Sequence, residues 1–155
     1  MNGVPNNFMR LLTKNGWQDK TYNFMKEDYF NRLKRRYEKG NYDITDELLM
    51  QLTYVYDSKL SFINRNGRSN TLIFASKNAY RYSTDYRKYL AEKIGCKTMI
   101  YLGTLQPGLL NIWIDDEMRV WGDYDFGKVF FGRGLYAGIL NICSDAGEWT
   151  RTSIR

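Results

Sequence analysis

Five carboxylates fall within eleven residues of this chain: Asp115, Asp116, Glu117, Asp123 and Asp125. Paired carboxylates serve as acid and base in glycoside hydrolysis when their surroundings push their pKa values apart, and the same oxygens suit a hard cation. The spacing reproduces no calcium-binding loop. A solvated acidic turn between two strands accounts for the group more simply, so no catalytic residue and no metal is assigned to it. Gly127, Gly132, Gly134 and Gly138 would let backbone amides approach a phosphate. Neither a phosphate-loop signature ending in Gly-Lys nor a dinucleotide-binding glycine triplet occurs, and turn geometry with close helix packing explains these glycines.

The counts of two residue types remove whole reaction classes. There is no histidine, and the only cysteines are Cys96 and Cys143, 47 positions apart. A Ser-His-Asp triad, a Cys-His dyad and a histidine metal cage all need an imidazole, and two distant cysteines do not make a zinc site. Two buried free thiols are the expected state, which fits a reducing compartment.

Two basic, tyrosine-rich stretches carry the remaining chemistry, Arg32 to Lys39 and Lys77 to Lys97. Their cations would neutralise phosphates while Tyr80, Tyr82, Tyr86 or Tyr89 stacked on bases. Those tyrosines recur at helical spacing, which is also how a helix docks an aromatic stripe into its own core. The acidic window, flanked by Trp113, Trp121 and Tyr124, has instead the composition of a protein-binding surface, where rings supply buried area and charges supply steering.

These residues must be positioned by elements that the pattern of apolar residues predicts. Asn6 and Asn7 are expected to cap a short helix over Phe8, Leu11 and Leu12, stopped at Gly16, with Trp17 folding back on it. A second helix from Lys26 to Lys39 shows Tyr29, Phe30, Leu33 and Tyr37 on one face and basic residues on the other. Thr45 caps a third, with Asp46 and Glu47 in the first turn. Lys59 to Arg65 and Thr71 to Phe74 form a hairpin through Asn66-Gly67. A helix from Tyr80 to Ile94, capped by Ser83 or Thr84, ends at Gly95. Thr98 to Leu102, Leu109 to Ile114 and Arg119 to Gly122 read as a meander, Val129 to Phe131 as a further strand, and Leu135 to Cys143 as a last helix. The tail from Gly147 is expected to be poorly ordered. The fold class is therefore α+β, N-terminal helices packed on a mainly antiparallel, mixed sheet.

A chain of 155 residues fits one domain, residues 1–155 with an ordered core over about 6–145, and should bury roughly two-thirds of its unfolded surface. Its net charge of +6 favours solubility and acidic partners. Met1 to Thr13 lacks a secretory signal pattern, and no stretch approaches the ~20 apolar residues of a membrane helix, so a cytoplasmic protein without membrane contact is expected.

In this order the landmarks resemble the SUKH superfamily of bacterial immunity proteins, specifically its third subfamily. Lys14-Asn15-Gly16-Trp17 is similar to the family's Gly-Trp after a short helix. Glu47 to Leu60 resembles its leucine-rich helix ending in an aromatic and small-residue turn before a strand. Tyr86 to Leu102 resembles its helix, glycine stop and following strand. Leu110-Asn111-Ile112-Trp113-Ile114-Asp115 with Arg119-Val120-Trp121 resembles its apolar strand, Ile-Asp, tight turn and returning strand. Two positions depart from the pattern: paired glycines after the third helix are replaced near Asp57-Ser58-Lys59, and the turn glycine before the returning strand is Met118.

The resemblance, which spans residues 8–143, implies a non-enzymatic protein without cofactor that binds and neutralises a cognate toxin, often a nuclease, of a polymorphic toxin system. Asp115, Asp116, Glu117, Trp121, Asp123, Tyr124 and Asp125 are the expected contact region; because the chain is net basic, either this acidic turn makes the contact or the toxin is itself acidic. The alternative is a small basic module that binds nucleic acid through Arg32, Lys34, Arg35, Arg36, Arg87 and Lys88.

Overall fold

The Thr45 hydroxyl accepts a hydrogen bond from the Leu48 amide at 3.2 Å, and that of Ser83 accepts from the Tyr86 amide at 3.2 Å, so two of the helices start on the caps their sequences supply. The computed structural model describes residues 3–16, 22–40, 42–64, 67–74, 83–107, 110–124, 127–144 and 150–153, with the side chains of 22–27 and 150–153 excepted. Among them are five helices, α1 (Asn6–Lys14), α2 (Tyr22–Lys39), α3 (Asp46–Val55), α4 (Thr84–Ile94) and α5 (Leu135–Cys143). The strands are β1 (Lys59–Ile63), β2 (Ser69–Ile73), β3 (Met99–Gln106), β4 (Leu110–Asp115), β5 (Arg119–Tyr124), β6 (Gly127–Arg133) and β7 (Thr150–Ser153). The fold is α+β.

The seven described strands follow one another across a single sheet in chain order, and every pairing is antiparallel. The mixed character expected of the sheet is absent from these pairings. Part of the tail expected to be disordered is instead β7, whose Thr150 to Ser153 pair with β6 from Phe130 to Gly127. At α1 the helix begins at Asn6, with Pro5 in the capping position and no side-chain cap; Asn7 Oδ1 accepts from the Phe8 amide within the first turn. Trp17, Tyr80, Tyr82, Asn66 and Asp125 lie outside the described residues.

Successive strand residues point to opposite faces, and here both faces are covered. On one face Ile100, Leu102, Ile112, Ile114 and Val120 meet Phe8, Leu12, Leu33, Leu49, Leu52 and Ile139 of α1, α2, α3 and α5. On the other, Met99, Tyr101, Trp113 and Trp121 meet Leu90 and Ala91 of α4. This double burial is why β3 and β4 read as almost continuous apolar runs. It also settles the tryptophans: Trp113 is wholly enclosed, 5.2 Å from the Tyr101 ring and 6.2 Å from that of Tyr86, and Trp121 is buried beside Phe130.

The layers are tied by a few long-range polar contacts. The Tyr56 hydroxyl, fully enclosed, pairs with that of Tyr37 on α2 and donates to the Tyr101 carbonyl of β3 at 3.1 Å. Burial, reinforced by the neighbouring Tyr37, drives its pKa well above the ordinary phenol value. Asn15, at the end of α1, donates to the Leu11 carbonyl and accepts from the Ser61 amide at 2.9 Å, so it satisfies one outward-facing group of the edge strand β1. Gly138 of α5 lies so close to β5 that a Cβ there would sit 2.5 Å from Val120, which accounts for that glycine by packing.

Candidate functional site

Asp115, the last residue of β4, is completely buried. Its Oδ1 accepts from the amides of Glu117 and Arg119, both at 2.9 Å, while Oδ2 accepts from Arg119 Nε at 2.7 Å and Trp121 Nε1 at 3.0 Å. A carboxylate holding four donors is the structural centre of the β4–β5 turn. It has no face left for a partner, and this corrects its placement in a contact region.

Its neighbours are similarly engaged. Asp116 Oδ1 accepts from the amides of Lys97 and Thr98 at 2.8 and 2.9 Å. Partial burial favours its neutral form, but these backbone donors and the Lys97 charge outweigh that and hold its pKa below the usual carboxylate value. Glu117 stands 3.7 Å from both Arg119 and Arg133. Asp123, only 8% exposed, accepts from the Tyr86 hydroxyl of α4 at 2.6 Å. Trp121 is buried, and its ring lies 5.6 Å from the Arg119 guanidinium and 5.5 Å from Lys128 Nζ. Of the expected contact residues with described side chains, Asp116, Glu117 and Tyr124 retain exposed surface. The turn is thus charge-compensated and braced, rather than an open acidic patch.

The cations divide in the same way. On α2, Arg32 pairs with Asp28 at 3.4 Å and Lys34 with Asp46 at 3.2 Å, whereas Arg35 and Arg36 are exposed. Arg87 and Lys88 belong to α4, and the structure brings them together with Lys97, which follows the Gly95 stop. These three, with Thr84, Gly40 at the end of α2, and Thr98 and Met99 at the start of β3, line a cleft of about 370 Å³. The Arg87 guanidinium lies 3.8 Å from the centre of the Tyr42 ring and donates to Thr84 Oγ1 at 3.3 Å. Burial raises the Tyr42 pKa, and the Arg87 charge partly offsets the shift. No carboxylate is among the described lining residues; Asp116 reaches the rim through its bonds to Lys97 and Thr98.

Sequence reasoning found Arg87 and Lys88 but missed the contributions of Thr84, Gly40 and Tyr42. The available signal was local at one end only: Ser83 capping α4 puts Thr84 and Arg87 one turn apart on the same face. Nothing in the spacing relates Tyr42 to Arg87, 45 residues later.

The thiols are poor nucleophiles. Burial, with the nearby charges of Asp115 and Asp116, pushes Cys96 up to about 11, and burial pushes Cys143 up to about 12. Only about one thiol in a thousand or fewer would be ionised at pH 8. Among the described residues no group of three His, Cys, Asp or Glu side chains could hold a metal ion, and no helix is long and apolar enough to cross a membrane. Comparison of the chain with models of protein families, with curated proteins and with solved structures yields no match.

Proposed function

We propose that the chain is a non-enzymatic immunity protein of the SUKH type, which binds a protein toxin encoded beside it and neutralises it within the cytoplasm. The observation that carries this reading is conformational. Asp57 and Met118 have φ of 64° and 63°, and they are the only described residues other than glycine with positive φ. Met118 falls where the family's pattern places a turn glycine, and Asp57 opens the Asp57-Ser58-Lys59 segment near which its paired glycines are replaced. Residues with a Cβ adopt this left-handed region at a cost of roughly 1–2 kcal/mol, so positive φ at these two places supports turns of the kind that glycine serves in the family's pattern. At Asp57 the cost is offset by an amide bond to the Phe74 carbonyl at 2.6 Å and a bond accepted from the Tyr29 hydroxyl at 2.9 Å. At Met118 the turn is held by its amide bond to the Asp115 carbonyl at 3.0 Å.

The engagement of the acids narrows the mode of binding. With Asp115 and Asp123 interior and Glu117 answered by two arginines, a net basic protein offers its partner cations, so the toxin surface it meets is acidic. The nucleic-acid alternative is less well supported, since Arg32 and Lys34 are paired and Tyr86 is turned inward toward Trp113 and Asp123, which leaves Tyr89 as the one exposed ring among the described tyrosines named for stacking.

The test is protection. Cells that produce the protein encoded by the neighbouring reading frame should stop growing when this chain is absent and grow normally when it is co-produced. Equal growth arrest with the folded chain present would contradict the proposal.

A further inference from the structure

We propose that the cleft between the end of α2 and the first turn of α4 receives a carboxylate side chain of the partner protein, an acidic peptide segment seated on Arg87, Lys88 and Lys97. The inference rests on the protein-partner reading above and adds the place and chemistry of contact.

Two features of the cleft point to an oxyanion. Its described lining carries three cations and two threonines, with the charge of Asp116 at the rim balancing one of the cations in part. Arg87 is fixed before any ligand arrives: its guanidinium is stacked on the Tyr42 ring and tied to Thr84 Oγ1. A pre-oriented guanidinium loses little freedom on binding, and its planar edge matches the two oxygens of a carboxylate.

The aromatic groups favour a peptide over a nucleic acid. Base recognition on single strands needs exposed rings to stack on. No aromatic side chain is among the described residues that line the cleft, and the Tyr42 ring behind Arg87 has one face covered by the guanidinium while it meets Tyr37 edge-on at 5.1 Å. The cleft's volume, about 370 Å³, accommodates a side chain with its flanking backbone and stands near the lower limit of roughly 300 Å³ for small-molecule sites.

The experiment is a nuclear magnetic resonance titration of the intact, isotope-labelled chain with hexaglutamate, and in parallel with a thymidine oligonucleotide of equal charge. Hexaglutamate should shift the Arg87 Nε–H signal and the amides of Thr84, Lys97 and Thr98 saturably. The double variant Lys88→Glu, Lys97→Glu alters two exposed side chains, so it should fold, melt within about 5 °C of the parent despite the carboxylate set beside Asp116, and bind hexaglutamate at least about tenfold more weakly. Shifts elsewhere, failure to saturate, undiminished binding by the folded double variant, or tighter binding of the oligonucleotide at these residues would each overturn the assignment. Failure here is distinct from failure of the immunity reading. A toxin neutralised equally by parent and double variant leaves that reading standing without this cleft, whereas hexaglutamate seated here with no toxin neutralised leaves the cleft without that function.

Discussion

Asp115→Ala is expected to lower the stability of the chain by about 3–5 kcal/mol, the cost of leaving a buried charge and its donors without their partner. The residue has no exposed surface, and its removal would strand the Trp121 indole N–H, the Arg119 guanidinium and two turn amides at once. Burial alone favours loss of the Arg119 charge, yet the Asp115 bond and charge outweigh it and hold its pKa above the ordinary value, a second sign of strong coupling. Asp115→Asn keeps the shape, but its NH2 would face a donor, so its loss should lie between those of Asp115→Ala and Asp116→Ala. The latter removes only partly exposed amide contacts and should cost about 1 kcal/mol. Urea unfolding followed by tryptophan fluorescence measures all three, since Trp113 and Trp121 both lie in the affected layer. An Asp115→Ala protein within about 1 kcal/mol of its parent would refute the structural role.

Gly103→Ala is expected to be comparably severe, at least about 3 kcal/mol, the upper end of overpacking costs. An added Cβ would collide with the Ile73 carbonyl oxygen, and would stand 2.9 Å from the Ile73 carbonyl carbon and 3.1 Å from the Phe74 Cα. All three are backbone atoms of β2 or the residue after it, so no rotamer change relieves the clash. The position adjoins an irregularity in the β3–β4 register between Tyr101 and Gly103. Gly16→Ala is the control: its φ of +89° is strained for alanine, but no atom lies within 4 Å, and about 1 kcal/mol is expected. The same unfolding assay separates them, and equal stability of the two variants would contradict the tight β2–β3 approach.

What was legible in the sequence was local. Thr45, Ser83 and Gly95 mark helix ends because a cap is a contact between residues three or four apart, and all three act as read. The strands were legible in place, although β3 runs on to Gln106, beyond the Leu102 expected, and α2 begins at Tyr22, four residues before Lys26. The acidic window was misjudged because a solvated turn and a buried hub share a composition. The spacing of Asp115, Arg119 and Trp121, with alternate β5 residues on one side of the sheet, was an available clue. Asp123 offered none, since its partner Tyr86 lies 37 residues away. The direction of the tryptophans depended on α4 covering the second face of the sheet, a tertiary fact, and β7 was too short and polar to be seen.

The central claim is that this chain acts by holding one protein partner through its cations. Affinity capture of the tagged chain from lysate of its source cells, with and without added nuclease, followed by mass spectrometry, tests it most directly. The account predicts one stoichiometric protein, with an acidic surface, which survives nuclease treatment and is lost with Lys88→Glu, Lys97→Glu. Recovery of nucleic acid, or of proteins that disappear when nuclease is added, would contradict it.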